Sequence, residues 1–234
     1  MAEVILALDV PTAGEALRFA ALPGLRWAKV GSLLFTREGP ALVRELRARG
    51  LEVFLDLKWH DIPNTVAGAV EQAAELGVAM ATVHTLGGPA MLRAAVAASG
   101  AGRPALVGVT VLTSHTAQEY GEAVGRATLP GEEAVRLARL GLAAGLRGLV
   151  CSPLEVAELR AAAGPDAWLV VPGIREAEDA RDDQARTATA GAAALAGATH
   201  LVVGRPILRS PDPAGALRRL TEEAAVVPRG AGRS

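Results

Sequence analysis

Short apolar runs recur along the chain at near-even spacing: VILALDV (4–10), RWAKVG (26–31), EVFLDLK (52–58), MATVHT (80–85), ALVGVTVL (105–112), GLVCSP (148–153), WLVVPG (168–173) and HLVVGR (200–205). Several are continuous Val/Leu/Ile stretches rather than strict alternations, the pattern of parallel strands covered on both faces. The segments between them are rich in Ala, Leu, Glu and Arg at helical spacing. Examples are TREGPALVRELRARG (36–50), VAGAVEQAAELG (66–77) and EEAVRLARLGLAAG (132–145), each closing on a glycine that can cap it. Eight strand–helix pairs in 234 residues predict an α/β protein with one domain, a (β/α)8 TIM barrel over residues 1–226. The longest irregular stretch, 113–131, follows the fifth strand and predicts a loop carrying a short helix. Residues 227–234 read as a flexible C-terminal tail.

Polar residues interrupt this pattern where the strands end. Active sites of such barrels lie at the carboxyl ends of the strands. Asp9 ends the first, Lys29 lies near the end of the second, and Asp56 and Lys58 end the third, followed by Asp61 in DLKWHDIPNT (56–65). Residues i and i+2 of a strand share a face, so Asp56 and Lys58 are both expected to point into the barrel mouth. These five residues would form a compact array of alternating charge. It reads either as salt bridges closing the barrel top or as catalytic machinery, and buried ion pairs are weak evidence of a purely stabilising role.

Composition sharpens that choice. Lys29 and Lys58 are the only lysines among 24 basic residues; the rest are arginine. In so Arg-biased a chain, a retained lysine fits a need for a compact, titratable amine, which a permanently charged guanidinium does not supply. Chance survival of two surface lysines is the alternative, and their shared place at the predicted rim counts against it.

The last two strands predict an anion site. VPGIR (171–175) and VVGRPI (202–207) put Gly173, Arg175, Gly204 and Arg205 where the loops after strands seven and eight of such barrels commonly hold phosphate. Gln184, in the polar segment EAEDARDDQAR (176–186), is placed to lie in a lid over that phosphate. Thr113 and Ser114 follow the fifth strand, with a substrate hydrogen bond and loop capping as alternative roles. His84 reads equally as a site contact or a core histidine, and His60 as an orienter or packing residue. Cys151 and the three tryptophans read as packing, and His115 and His200 have no evident partner.

Other classes are disfavoured. A net charge of −1 with 3% aromatic residues is unlike a nucleic-acid binder. One cysteine allows neither an intrachain disulfide nor a multi-cysteine metal site, and no HExxH motif, nucleophile elbow or dinucleotide fingerprint is present. No metal or cofactor is therefore expected. The N-terminal MAEVILALDV carries two carboxylates and no basic segment, so no signal peptide is expected, and no apolar run reaches membrane-spanning length. A cytoplasmic protein is the expectation.

Taken in order, LDV, KVG, DLKWHDIPNTV, LTS, VPGIR…DDQAR and VVGRPI closely resemble the orotidine 5′-phosphate decarboxylase family, nearest its bacterial branch, from about residue 4 to residue 210. Val171 stands before PGIR where threonine is common, and Thr189–Ala190 replaces a usual Thr-Pro. Neither position is catalytic. The resemblance implies a homodimer that converts orotidine 5′-phosphate to UMP and CO2, the last step of de novo pyrimidine synthesis, without metal or organic cofactor. It implies Lys58 as the proton donor to C6, Asp56 beside the leaving carboxylate, and Asp9 and Lys29 on the ribose hydroxyls. Asp61, Ile62 and Thr65 would reach into the partner's site. Thr113, Arg175, Gln184, Gly204 and Arg205 complete the substrate contacts.

Two rivals share some features. Magnesium-dependent sugar-phosphate decarboxylases and aldolases share the D-x-K-x-x-D pattern but resemble this chain less, because they carry an acidic metal ligand where Lys29 stands. A non-catalytic barrel that binds a phosphorylated ligand would have no need of Lys58.

Overall fold

The computed structural model describes residues 1–175 and 187–225. Eight parallel strands close into a barrel in sequence order, β1 (Glu3–Ala7), β2 (Trp27–Gly31), β3 (Glu52–Trp59), β4 (Met80–His84), β5 (Ala105–Val109), β6 (Gly148–Val150), β7 (Trp168–Val171) and β8 (His200–Val203), with β8 pairing back to β1. The helices between them are α1 (Ala13–Ala20), α2 (Ser32–Ala48), α3 (Pro63–Glu75), α4 (Gly88–Ala98), α5 (Ala117–Val124), α6 (Pro130–Ala143), α7 (Val156–Ala163) and α8 (Ala190–Ala196). A short α9 (Arg205–Leu208) and a closing α10 (Pro213–Ala224) follow β8.

The continuous apolar runs have the expected cause. One set of side chains, including Ile5, Ala7, Phe54, Met80, Val107, Val170 and Val202, fills the barrel interior. The alternate set, including Val4, Leu6, Val53, Leu55, Leu201 and Val203, packs outward against the helices. Five of the eight strands stop two or three residues before the apolar runs do, so Asp9, Gly173, Gly204 and Arg205 lie just beyond the ladder, whereas Lys29, Asp56 and Lys58 lie within β2 and β3.

The three helices named from the sequence all begin two to four residues earlier than expected, α3 at Pro63 and α6 at Pro130, and one of them is also broken. The predicted helix 36–50 begins earlier, at Ser32, and α2 is broken at Gly39, where φ is 63° and Pro40 follows. Proline cannot continue the preceding turn, and the left-handed glycine absorbs the bend.

The 113–131 stretch contains the expected short helix. Thr116 and Glu119 cap α5 reciprocally. Glu133, 3% exposed at its side chain, receives Arg126 and Arg136 at 2.8 and 2.6 Å and the Tyr120 hydroxyl at 3.3 Å. Hydrogen bonding from Arg136 outweighs the cost of burial and holds the Glu133 carboxyl down at about 2. This pins the loop after β5 to α6.

Candidate active site

The rim cavity, of about 360 Å³, is lined by Asp9, Lys29, Asp56, Lys58, Thr113, Gly173, Arg175, Gly204 and Arg205 over a largely apolar floor that includes Ala7, Phe54, Val150 and Val202. The register of the first three strands explains the gathering. Ala7 pairs with Lys29, and Gly31, two residues on, pairs with Asp56, so the long Lys29 side chain starts one step below Asp56 on the neighbouring strand and reaches up to it.

The charges form a chain. Lys29 Nζ lies 3.0 Å from Asp9 Oδ1 and 3.6 Å from Asp56 Oδ2, and Lys58 Nζ lies 2.9 Å from Asp56 Oδ1. Its middle is closed and its ends are open: the side chains of Lys29 and Asp56 are 9% and 14% exposed, those of Lys58 and Asp9 40% and 60%. A residue larger than glycine at 31 would crowd this array, since a Cβ there would stand 3.0 Å from Lys29 Nζ.

Lys58 reaches the mouth by a less regular path than strand alternation supposes. Leu55 pairs with Ala81 but Trp59 pairs with Val83, so β3 bulges between them, and Lys58 has a φ of 52°. Bulges of this kind re-aim a side chain. The Lys58 N–H donates to Thr82 Oγ1 at 2.8 Å, and the Thr82 hydroxyl donates to Asp56 Oδ1 at 3.1 Å. Thr82 was not singled out from the sequence. Its signal was present: in MATVHT it is the polar residue on the inward face, two residues after Met80.

At the opposite side of the cavity, Gly173 adopts a φ of 81°, a conformation that favours glycine, and turns the chain after β7. Ile174 bridges Ala188, and the Arg175 N–H donates to Ala188 O at 3.0 Å, tying together the two ends of the intervening segment. Gln184 lies outside the described residues, as does the expected tail at 227–234. Gly204 precedes α9 and lies against Ala7 and Asp9.

The structure corrects the five-membered charge array. Asp61 does not join it within one chain. It is exposed on the turn into α3, where its Oδ1 accepts from the Ile62 N–H, and Ile62 (66% exposed) and Thr65 are on the outer surface with it. The reason is that β3 ends at Trp59, and the next residues run outward to start α3. Asp61 and Ile62 instead line a separate shallow depression with His60, Pro63, Leu86 and Gly87.

The histidines also find their places. His84 stacks on His60 with ring centres 5.4 Å apart, and its Nδ1 faces the Leu86 N–H at 3.5 Å. Burial, then the nearby His60 and Lys58, push its pKa down to about 4, which keeps it neutral. It does not line the cavity. His200, for which the sequence suggested no partner, packs between Trp27 and Trp168 at the other end of the barrel, with Thr199 Oγ1 2.9 Å from its Nδ1. Cys151 is buried, as expected of a packing residue. Among the described residues, no group of three or more His, Cys, Asp or Glu side chains is arranged to hold a metal ion, and no helix is long and apolar enough to cross a membrane.

Fold and rim together define a class of protein: a (β/α)8 barrel that brings a lysine–carboxylate array and two arginines to one small cavity. A model of the orotidine 5′-phosphate decarboxylase / HUMPS family matches residues 2–220, and the chain belongs to that family. It is 51% identical to the orotidine 5′-phosphate decarboxylase of Nitrosomonas eutropha over 222 residues, covering 94% of this chain and 96% of the relative. It is 52% identical to that of Halorhodospira halophila over 226 residues, covering 95% of each. The crystal structure of orotidine 5′-phosphate decarboxylase from Lactobacillus acidophilus superposes with a TM-score of 0.86 at 34% identity, over 97% of this chain and 100% of that one.

Proposed function

We propose that this chain decarboxylates orotidine 5′-phosphate to UMP and CO2, closing de novo pyrimidine synthesis in the cytoplasm, with Lys58 as the acid. The observation that carries the reading is the ion pair of Lys58 with Asp56 inside a cavity that also holds two arginines.

The reaction breaks the bond between C6 and its carboxyl carbon. CO2 departs, and the electron pair stays on C6 in the ring plane, where conjugation cannot spread it. An ammonium held at that carbon lowers the energy of the developing charge and then transfers its proton there. Lys58 Nζ supplies that proton and regains one from solvent. Asp56, beside the substrate carboxylate, holds the ammonium and loses an unfavourable neighbour as CO2 leaves.

Asp9 and Lys29 take the ribose hydroxyls, and Thr113 adds a hydrogen bond from the loop after β5. Arg175, Gly204 and Arg205, with Gln184, bind the phosphate, whose remote binding energy holds the reacting end in place. The groups assigned are amines, carboxylates, guanidiniums, amides and one hydroxyl, and the mechanism calls on neither metal nor organic cofactor.

The functional unit in this reading is a homodimer with shared sites. Asp61, Ile62 and Thr65 are exposed beside the depression that includes Leu86, a surface suited to a second copy, and they would complete the partner's cavity.

The test is to treat the purified protein with EDTA, add orotidine 5′-phosphate and follow the ultraviolet change on conversion to UMP. Rapid metal-free turnover is the expected result. Absence of turnover by folded protein would overturn the proposal, and activity that needs added Mg²⁺ would place the chain with the sugar-phosphate enzymes.

A further inference from the structure

Among the described residues, Lys58 is the non-glycine residue with a positive φ. A side chain there is disfavoured and persists only where its surroundings hold it. The bulge leaves the Lys58 N–H facing the Thr82 side chain rather than a ladder carbonyl, and the two meet at 2.8 Å. A backbone N–H can only donate, so Thr82 Oγ1 must accept, which leaves the threonine's own proton for another partner. A carboxylate can only accept, and Asp56 Oδ1 lies 3.1 Å away. That same oxygen receives Lys58 Nζ at 2.9 Å. The hydrogen bonds therefore close a ring that starts at the Lys58 backbone, passes through one hydroxyl and one carboxylate, and returns to the Lys58 ammonium.

We propose that Thr82 is a positioning residue for proton delivery: its hydroxyl fixes both the left-handed backbone of Lys58 and the orientation of Asp56, and so sets where the ammonium stands. The inference rests on Lys58 being the proton donor. Thr82 is fully buried on β4 and does not line the cavity, so it acts through its two partners rather than on the substrate. A shift of the ammonium by a fraction of an ångström would leave phosphate and ribose binding intact while degrading the chemical step.

Thr82→Val keeps the shape and removes the hydroxyl, and Thr82→Ser keeps the hydroxyl. In the full-length protein, Thr82→Val should lower kcat roughly 10- to 100-fold, the scale of a hydrogen bond to a charged group, with KM and UMP affinity held within about twofold. Thr82→Ser should restore most of kcat. Hydrogen exchange at the Lys58 amide, followed by NMR, should speed up in Thr82→Val but not in Thr82→Ser. This readout needs no turnover, so it tests the ring even if the wild-type chain proves inactive on orotidine 5′-phosphate, a result that would instead sink the functional reading. An active wild type with an equally active Thr82→Val, a Thr82→Ser as impaired as Thr82→Val, or unchanged Lys58 exchange would each overturn the proposal. If valine prevents folding, Thr82→Ala takes its place against serine under the same criteria.

Discussion

The Lys58 ammonium stands 2.9 Å from Asp56 Oδ1 while the carboxylate's other oxygen lies 3.6 Å from Lys29. One carboxylate thus holds two ammonium groups, one of them nearly closed off and one open to the cavity. An array built only to seal the barrel would have no reason to keep an amine open at the mouth.

Replacing Lys58 with arginine preserves the charge but not the titratable amine. Lys58→Arg should lower kcat by about 10⁴-fold or more, because the proton transfer is lost and the bulkier guanidinium holds its charge less well placed at the carbanion. UMP affinity and the thermal midpoint should change little. Steady-state absorbance assays beside UMP titrations check this, and an arginine variant with near-normal kcat would remove Lys58 from the chemistry.

Arg205 can be separated from the reacting end by using a truncated substrate. Arg205→Ala should reduce kcat/KM for orotidine 5′-phosphate by roughly 10- to 100-fold, as expected for losing a hydrogen bond to a charged group. Turnover of orotidine, which lacks the phosphate, should be unaffected. Equal losses on both substrates would show that Arg205 does not read the phosphate.

Acid should destabilise the barrel through its buried imidazoles. Burial pushes His200 from 6.5 to about 4. Above 6.5 both folded and unfolded states are neutral at this residue, so its contribution is fully present there. As pH falls toward 4 the unfolded chain takes up the proton first, and stability is lost by up to about 3 kcal/mol. His84 shifts in the same direction. Urea melts across that interval should show falling midpoints, with a shallower fall for His200→Phe. An identical pH slope in the variant would refute the assignment.

Shared sites can be tested by mixing two inactive proteins. Lys58→Ala lacks the acid, and Asp61→Ala lacks the residue offered to the partner. Unfolded and refolded together in equal amounts, they should recover about a quarter of wild-type activity, because half the dimers are mixed and each mixed dimer has one intact site in an isologous pair. Failure of mixed dimers to recover any activity would mean that Asp61 serves its own chain or none.

The sequence by itself determined the architecture and most of the rim. Eight apolar runs separated by helical segments admit few arrangements other than the barrel. Strand ends are then the only place where Asp9, Lys29, Asp56 and Arg205 interrupt the pattern, so local periodicity carried the information. Tertiary structure alone decided what depends on neighbours distant in the chain. The bulge in β3 arises from pairing with β4, and the left-handed Lys58 is held by a hydroxyl 24 residues away. Charge spacing grouped Asp61 with the network, yet the turn into α3 carries it to the outer surface. His200 drew no partner from the sequence because Trp27 and Trp168 reach it only when the barrel closes. Periodicity reports which face a side chain takes; the ring joining Lys58, Thr82 and Asp56 exists only once two strands are set side by side.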